Sequence, residues 1–541
     1  MISWNRLLNR GTSDERWGTN SSHNNNTNQT QVKHLIDPRL SENLQYIRTQ
    51  LGNSPDITVR QFEVGGSLTQ VAVVYTNGVT DKKSVNEFIL HSLMIDTAKE
   101  TFDRLAAGKS MFDFVHNNAL TVGEVKMLSS WDGAILSILS GDTAIFIDGY
   151  TEVIACGTRG GELRSVTEPS SQLVIRGPKD GFNESIGTNV SLVRRRIKSS
   201  QLWLETMTIG RMTQTDVAIM YIKGVANDKI VQEVRKRLNE IDMDSILESG
   251  YIEQLIEDNS YTIFPTIYNT ERPDTVAGNL LEGRVAIFVD GTPFVLIAPV
   301  TFFMYLQASE DYYQRFEVAT AIRILRYGAL LISLFVPSIY VASITYHQEM
   351  IPTQLLVSLM GQKESVPFPA FVEAIMMEVI FEILREAGIR MPRAIGQAVS
   401  IVGALVLGQA AVEAGIISPV MVIVVALTGI SSFATPSYSM ALSIRLLRFA
   451  MIFAAGFLGF YGIAIISIMI LAHMCGLRSF GIPYMSPLGP FVLEDNKDNL
   501  FRFPLKLYFS RPHLISQSNI VRKNDGISKS PHKEQNGADK Q

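Results

Sequence analysis

The stretch PFPAFVEAIMMEVIFEILREAGIRMPRAIG, residues 367–396, combines the apolar composition of a membrane helix with charged side chains. Its first half carries Glu373, Glu378 and Glu382, and its second half adds arginines. A carboxylate in the lipid interior costs about 2.5–3.5 kcal/mol on insertion scales, so such a side chain should face protein or water. Whether this stretch crosses the membrane or lies at its surface therefore determines the architecture of the membrane domain.

The rest of the chain divides into a charged half, residues 1–326, and an apolar half, residues 327–477. A helix needs about 20 apolar residues to cross the hydrocarbon. The predicted crossings are 327–346, 366–384, which covers the first half of the opening stretch, 394–412, 416–436 and 449–472. The predicted fold class is a duplicated α/β soluble N-terminal region followed by an all-α polytopic membrane domain of about five helices.

Two pairs of similar segments indicate the duplication in the charged half. VAVVYTNGV at 71–79 recurs as VAIMYIKGV at 217–225. GDTAIFIDGYTEVIA at 141–155 recurs as GRVAIFVDGTPFVLIA at 283–298. Because the order and the spacing are kept, the sequence predicts two copies of one α/β unit.

Turn-forming residues predict a β-hairpin at the end of each copy. The apolar run 285–306 contains DGTP, which favours a strand–turn–strand over a membrane crossing. Asp148 and Asp290, which begin the two Asp-Gly pairs, are interpreted as hairpin residues and not as catalytic or metal-binding groups. Between the copies lies a basic cluster of Arg194, Arg195, Arg196 and Lys198. This cluster could bind phosphate, anionic lipid or an acidic partner, or it could form a solvated helix face.

Composition sets the predicted domain boundaries. The domains are a disordered polar head at 1–36, repeat 1 at 37–165, a connecting basic segment at 166–205, repeat 2 at 206–307, the membrane domain at 308–478 and a basic, flexible tail at 479–541. The head lacks the apolar core of a secretory signal, so the soluble half is expected to stay in the cytoplasm.

The short motifs that would indicate an enzyme are missing from the sequence. It has no Walker A or dinucleotide-binding glycine pattern, no His-Glu-x-x-His and no Gly-x-Ser-x-Gly. His347 and His473 have no metal-ligating partner at a useful spacing, and Cys156 and Cys475 imply neither a disulfide framework nor a cysteine metal site. The sequence therefore predicts a protein that is not an enzyme, with no cofactor, no metal and no nucleic-acid partner.

Arginines give the predicted orientation of the membrane domain. Those that precede 327–346 place the start of the first crossing inside, because basic loops stay on the cytoplasmic side. If 366–384 crosses back, every short arginine cluster up to Arg448 also falls inside. Five crossings would then leave the tail after residue 478 outside, although that tail holds nine Lys and Arg residues. The sequence therefore does not determine whether the number of crossings is odd or even.

One helix face of the opening stretch is a candidate ion path. Glu378, Glu382 and Arg385 are spaced i, i+4 and i+7 and share that face, whereas Glu373 projects elsewhere. In one interpretation the helix lies at the interface and Glu382 pairs with Arg385. In the other, several copies of the helix surround a water-filled path, in which Glu378 and Glu382 attract cations.

Hydroxyl residues form a second candidate lining near Pro436. Small hydroxyl side chains let helices pack closely, and a broken polar helix can also line a cavity. The candidate pore-lining hydroxyls are Thr428, Ser431, Ser432 and Thr435. The candidate gating or interfacial residues are Pro337, Glu349 and Pro436.

Residues 367–438, from PFPAFVEAIMMEVIFEILREAG to ISSFATPSY, resemble the signature of the A subunits of GerA-type spore germinant receptors. The similarity extends upstream through PSIYVASITYHQEMIPTQLL, EGRVAIFVDGTPFVLIAPVTF and EPSSQLVIRGPKDGF. It covers roughly residues 35–480. The resemblance implies a multi-pass protein of the spore inner membrane, with its large N-terminal region on the cytoplasmic, spore-core side.

The resemblance also implies partners and a role. The partners are a transporter-like B subunit, a lipoprotein C subunit, further copies of the A subunit and membrane lipid. The complex senses nutrients such as amino acids or sugars, for which the B subunit is the better candidate as the binding subunit. It triggers germination by ligand-gated release of monovalent cations through an oligomeric channel.

Two other functions remain open at this point. One is a sporulation-specific paralogue that amplifies ion release without sensing a nutrient, and the other is a membrane-anchored signalling scaffold. A secondary transporter is disfavoured, because such proteins carry inverted repeats in the membrane half, and the only clear repeat in this sequence is soluble.

Overall fold

The computed structural model describes residues 35–64, 69–96, 111–116, 120–160, 168–169, 172, 174–391, 408–493, 495–516 and 519–522. The predicted polar head, except its last two residues, lies outside the described residues. So do most of the predicted crossing 394–412 and the end of the tail.

Each α/β unit is built on a five-stranded antiparallel sheet. The strands of the first unit are β1 (Ile57–Glu63), β2 (Gln70–Thr76), β3 (Val125–Leu128), β4 (Thr143–Ile147) and β5 (Val153–Cys156). Those of the second unit are β6 (Leu202–Ile209), β7 (Thr215–Ile222), β8 (Tyr268–Thr270), β9 (Val285–Val289) and β10 (Val295–Ala298). The spatial orders are β1-β2-β4-β5-β3 and β6-β7-β9-β10-β8, so the two sheets have the same topology.

The repeated sequence segments form equivalent strands. VAVVYTNGV supplies β2 and VAIMYIKGV supplies β7. Their registers also correspond, since Val71 pairs with Ile147 and Val217 pairs with Val289. Successive side chains of a strand point to opposite faces, and both faces of β2 are buried. This burial explains why the repeated segments are continuously apolar.

Helices cover the sheets. In the first unit they are α1 (Leu40–Gln50), α2 (Lys82–Ser84, continued by π-helical turns Val85–Leu90 and Ser92–Asp96), α3 (Met111–Phe114) and α4 (Trp131–Ser140). In the second unit they are α5 (Ile186–Arg196), α6 (Asp228–Asn239), α7 (Ser249–Ile256), α8 (Pro273–Leu281) and the 3-10 turn Phe302–Leu306.

The hairpin aspartates also cap a helix in each unit. Asp148 Oδ1 accepts a hydrogen bond from the Leu40 N–H at 2.9 Å, and Asp290 Oδ1 accepts one from the Ile186 N–H at 3.0 Å. Leu40 and Ile186 are the first residues of α1 and α5, where backbone N–H groups lack intrahelical partners. The aspartates therefore have a structural function that links each hairpin to the first helix of its unit.

The second unit begins inside the predicted connecting segment 166–205, because α5 lies there. The basic cluster of that segment joins the two units instead of forming a solvated helix face. Arg194 is 1% exposed and donates to both carboxylate oxygens of Asp56 in the first unit, at 2.7 and 3.0 Å. Arg195 donates to the Gly160 carbonyl at 2.8 Å. A buried guanidinium needs such partners, since an unpaired buried charge is strongly destabilising.

The apolar half, together with the residues just before it, forms a helical bundle. Its helices are α9 (Glu310–Tyr313), α10 (Phe316–Thr345), α11 (Thr353–Lys363), α12 (Ala370–Arg390), α13 (Pro419–Ser432) and α14 (Tyr438–Gly476), and residues 408–413 are also helical. The hairpin of β11 (Arg478–Ser479) and β12 (Ile482–Pro483) follows, and the 3-10 turns are Gln348–Met350, Asp495–Asp498 and Leu505–Leu507.

Among the described residues, α10 and α14 are long and apolar enough to cross a membrane. α10 contains the predicted crossing 327–346. α13 is apolar but has 14 residues, and α12, which holds the opening stretch, carries several charges. The expected count of about five crossing helices is therefore not confirmed.

The long helix α14 reverses direction at Gly459, whose backbone is not helical (φ 59°, ψ −141°). Near its start, the Ser443 hydroxyl donates to the Ile263 carbonyl at 2.6 Å. Near its end, His473 Nε2 and Thr262 Oγ1 share a hydrogen bond at 2.9 Å. A straight helix would separate positions 443 and 473 by about 45 Å. Since both positions contact neighbouring residues of the second unit, α14 is a helical hairpin.

Side chains that follow α10 stabilise this reversal. The Tyr346 hydroxyl contacts the Gly456 and Phe457 carbonyls at 3.0 and 3.1 Å, and these carbonyls lie in the last turn before the break. A side chain at Gly459 would collide with the His347 ring. The reversal therefore marks the end of the bundle that lies away from the second unit, called the far end below.

After α14 the chain returns to the second unit. Ser479 Oγ accepts from the Val300 N–H at 3.0 Å and donates to the Thr266 carbonyl at 2.7 Å. Tyr484 is fully buried, and Ser516 donates to the Val225 carbonyl at 2.8 Å. The tail predicted as flexible is thus packed in its described part up to residue 516, because that part carries aromatic and aliphatic residues that can be buried. The soluble units and this tail lie at the same end of the bundle.

Candidate functional site: a buried charge cluster

A buried ion pair links three helices of the bundle. Arg448 of α14 donates from Nη1 to Glu378 Oε2 of α12 at 2.6 Å and from Nη2 to Ser333 Oγ of α10 at 2.9 Å. The side chains of Arg448 and Glu378 are 3% and 2% exposed. α12 places Glu378 here because the apolar residues around it pack the helix against α10, α13 and α14.

The second predicted carboxylate, Glu382, lies one turn closer to the soluble units. It forms ion pairs with Arg385 of its own helix and, at 3.2 Å, with Arg445 of α14. Arg445 also donates from Nε to the Ala441 carbonyl at 3.1 Å. Glu382 is therefore shared by two guanidinium groups, and its pairing with Arg385 matches one of the two sequence interpretations.

These five side chains, Glu378, Glu382, Arg385, Arg445 and Arg448, are called the charge cluster below. It contains two carboxylates and three guanidinium groups, so its formal charge is positive. The face that sequence predicted to attract cations is thus neutralised in this conformation. The reason is energetic: a charge taken out of water must be paired and hydrogen-bonded.

The ion pair is not fully satisfied. Glu378 Oε1 and Arg448 Nε are both buried and have no hydrogen-bond partner among the described residues. A buried polar atom without a partner costs about 1–3 kcal/mol. Each group therefore retains an unused capacity to bind, one as an acceptor and the other as a donor.

Glu373 lies apart from the charge cluster, as its helical position predicted. Its Oε2 accepts hydrogen bonds from the Ser418 N–H at 3.0 Å and from the Ser418 hydroxyl at 2.8 Å. Ser418 immediately precedes α13, where a carboxylate interacts favourably with the helix N-terminus. Glu373 therefore joins α12 to α13 nearer the far end.

The predicted hydroxyl lining is mostly committed to its own helix. Thr428 donates to the Val424 carbonyl and Ser432 to the Gly429 carbonyl, each at 2.7 Å. Ser431 is also buried on α13. Thr435 and Pro436 are half-buried in the link between α13 and α14.

The other two candidate gating residues lie elsewhere. Pro337 is buried inside α10, which continues as a helix through it. Glu349 is exposed in the 3-10 turn after α10, near the far end. Neither is part of the charge cluster.

Sequence reasoning missed the partners of the carboxylates. Arg445 and Arg448 were used only to orient the crossings, and Ser333 was not considered. A signal was present, because residues three apart share a helix face. The two arginines could therefore have been matched to Glu378 and Glu382, which are four apart on α12.

A second ionic group fixes the start of α10. Arg323 is 1% exposed and donates to Asp311 at 3.0 Å and to Asp498 Oδ1 at 2.8 Å. Arg326 donates to both Asp311 oxygens, at 2.8 and 2.9 Å. Asp498 belongs to the tail, so this group connects the tail to the start of α10.

Comparison with known proteins relates this architecture to spore germination. A sequence profile described as "Bacillus/Clostridium GerA spore germination protein" matches residues 45–514. Spore germination protein KA of Bacillus subtilis (strain 168) is 53% identical over 489 residues, 90% of this chain and 89% of the relative. Spore germination protein GerLA of Bacillus cereus is 39% identical over 488 residues, 90% of this chain and 98% of the relative.

A solved structure is also similar. It is the crystal structure of the N-terminal domain of the A subunit of the Bacillus megaterium spore germinant receptor GerK3, with 47% identity, a TM-score of 0.38 and coverage of 50% of this chain and 97% of that one. The resemblance inferred from the sequence is confirmed by the profile and the relatives. The chain belongs to the GerA family of Bacillus/Clostridium spore germination proteins.

Proposed function

We propose that this chain is the A subunit of a nutrient-responsive germinant receptor in the spore inner membrane. Several copies, together with a B-type transporter-like subunit and a C-type lipoprotein, release monovalent cations when nutrient binds. The observation that carries the proposal is the charge cluster buried between apolar helices. Ionisable residues inside membrane segments are costly and usually mark an ion pathway or its control.

The conformation described here corresponds to a closed pathway. Each carboxylate of the charge cluster is paired with at least one guanidinium, so a passing cation meets no free negative charge. Opening requires α12 and α14 to separate or rotate, because Glu378 and Arg448 belong to these two helices. A pathway that opens only on such a movement stays shut in the dormant spore.

The second unit is placed to transmit a signal to the charge cluster. Asn269 approaches Ser439 Oγ at 3.4 Å, and Ser443 donates to the Ile263 carbonyl at 2.6 Å. Both serines lie on the first half of α14, between about half a turn and two and a half turns before Arg445 and Arg448. A shift of the 262–269 segment therefore reaches the arginines through one rigid helix.

Reconstitution tests the proposal. The full chain, purified with its B-type and C-type partners, is placed in potassium-loaded liposomes, and potassium efflux is followed as a panel of amino acids and sugars is added. We expect efflux that depends on one nutrient class and on the presence of this chain. Equal efflux from liposomes that lack this chain, or none from the intact complex with any nutrient that germinates the spores, would contradict the proposal.

A further inference from the structure

The guanidinium of Arg448 occupies a site built from oxygen atoms. Glu378 Oε2 lies 2.6 Å from Nη1, and Ser333 Oγ lies 2.9 Å from Nη2. Ser333 is 1% exposed and the Glu378 side chain 2%, so both oxygens are removed from water. The third oxygen, Glu378 Oε1, is buried and has no partner among the described residues.

These oxygens are suitable ligands for a monovalent cation. Selectivity filters hold ions by oxygen atoms that replace the hydration shell, and carboxylates attract cations into such sites. A carboxylate and a hydroxyl from two different helices, together with one unused carboxylate oxygen, form part of such a coordination shell. The positive charge present at the site belongs to the protein itself.

We infer that Arg448 is a tethered cation that blocks a monovalent-cation site formed by Glu378 and Ser333. The biological meaning of the inference rests on the proposed function, whereas the site itself can be tested separately. A guanidinium cannot lose its proton in a protein. Only a movement of the Arg448 side chain or of α14 therefore vacates the site.

The structure provides a route for that movement. Arg448 lies on the half of α14 between its first residues and the break at Gly459, so this half can tilt without the rest of the hairpin. Its start is held by the second unit through Ser443 and Ile263. Glu378, in contrast, lies on α12. Tilting the first half of α14 therefore moves the guanidinium relative to the oxygens that hold it.

Binding of radioactive rubidium to the purified full chain tests the inference. With Arg448→Ala, we expect rubidium to bind at least about tenfold more tightly than to the unchanged chain, because two unit charges at contact distance repel strongly inside a protein. Methylguanidinium, which restores the missing group, should displace the rubidium. Tetramethylammonium at the same concentration, which cannot donate hydrogen bonds, should not.

Three further variants serve as controls. Arg448→Lys keeps the positive charge and should leave rubidium binding at the level of the unchanged chain. Glu378→Gln with Arg448→Ala removes the carboxylate and should abolish the gained binding. Arg390→Ala removes a guanidinium from the exposed pair with Glu386 and should have no effect.

The outcomes separate the inference from the proposed function. No gain of rubidium binding in Arg448→Ala, or a gain that methylguanidinium does not reverse, would overturn the inference. If Arg448→Ala needs a cation in order to fold, folding with rubidium as well as with methylguanidinium supports the inference. Folding with methylguanidinium alone, or with neither cation, counts against it. Rubidium binding without any potassium efflux from liposomes would keep the site and contradict the ion-release role.

Discussion

At the scale of single residues, the bundle depends on charges that are paired out of water. Glu378 and Arg448 are each almost completely buried, so their desolvation cost is balanced only while both are present. Removing one partner of a buried pair typically destabilises a protein by about 3–5 kcal/mol, whereas replacing both by apolar groups is often neutral. Comparing the stability of single and double variants therefore tests whether the two side chains are paired.

We expect Arg448→Met to lower the free energy of unfolding by about 3 kcal/mol or more, and the double variant Glu378→Met with Arg448→Met by much less. Chemical denaturation of the detergent-solubilised chain measures both values. Arg390→Met, which breaks an exposed pair at 2.7 Å, should cost no more than about 0.5 kcal/mol. Equal losses in the single and double variants would contradict the pairing described here.

A second residue-scale prediction concerns pH. Burial, assisted by the charges of Glu257 and Glu248, raises the pKa of Glu253 in α7 to about 7, although Asn269 donates to its carboxylate. The folded chain therefore binds a proton that the unfolded chain has released between pH 4.5 and about 7. Stability falls as pH rises through this window, by up to about 3 kcal/mol for this group.

The variant Glu253→Gln lacks this titration. Its thermal stability should change less between pH 5 and 8 than that of the unchanged chain, and it should be the more stable of the two at pH 8. Glu240→Gln, on the exposed surface beside Lys236, should keep the original pH dependence. A slope that is unaltered in Glu253→Gln would show that another group titrates in this range.

At the scale of elements, the sequence analysis predicted the features that depend on local sequence patterns and on the internal duplication. The two Asp-Gly hairpins and the apolar helix predicted at 327–346 lie where predicted, because turn chemistry and uninterrupted apolar length are local properties. The reversal of α14 was not predicted, because residues 449–472 are uniformly apolar. Hydropathy alone does not show whether such a run forms one straight helix or reverses within it. The pairing of Glu378 with Arg448 was also missed, because it depends on helix packing between distant segments.

The reversal itself gives an element-scale prediction. Gly459 has positive φ and no room for a side chain beside His347, so Gly459→Ala should destabilise the chain by about 1–3 kcal/mol. Gly328→Ala, in the regular helix α10 with open space around it, should be neutral or stabilising by about 0.5–1 kcal/mol. Thermal unfolding of both variants measures these changes in stability. An equal change in the two variants would argue against a non-helical backbone at Gly459.

At the scale of the whole molecule, the hairpin of α14 brings the chain back to the end of the bundle where α14 begins. The tail packs on the second unit, so the soluble units and the tail share one side of the bundle. The five Lys and Arg residues in the described part of the tail then lie at the same end of the bundle as the soluble units, as the positive-inside rule prefers. The sequence analysis did not predict this arrangement, because it treated residues 449–472 as a single crossing.

Cysteine labelling tests this arrangement. In a background with Cys475→Ser, single cysteines at Arg315 and Lys506 should react with a membrane-impermeant maleimide from the same side, and a cysteine at Glu349 from the opposite side. Cys156 is buried and should remain unlabelled. If position 506 reacted together with position 349, the tail would lie at the far end and the hairpin would be wrong.

The contact between Arg323 and Asp498 also has a consequence for biosynthesis. The two residues are 175 positions apart, and a ribosome adds about 5–20 residues per second. The start of α10 is therefore made about 9–35 s before Asp498, the second carboxylate that pairs with Arg323, emerges. During that interval the two soluble units can fold while the joint below them is incomplete. Arg323 therefore has Asp311 as its carboxylate partner until the C-terminal segment docks and supplies Asp498.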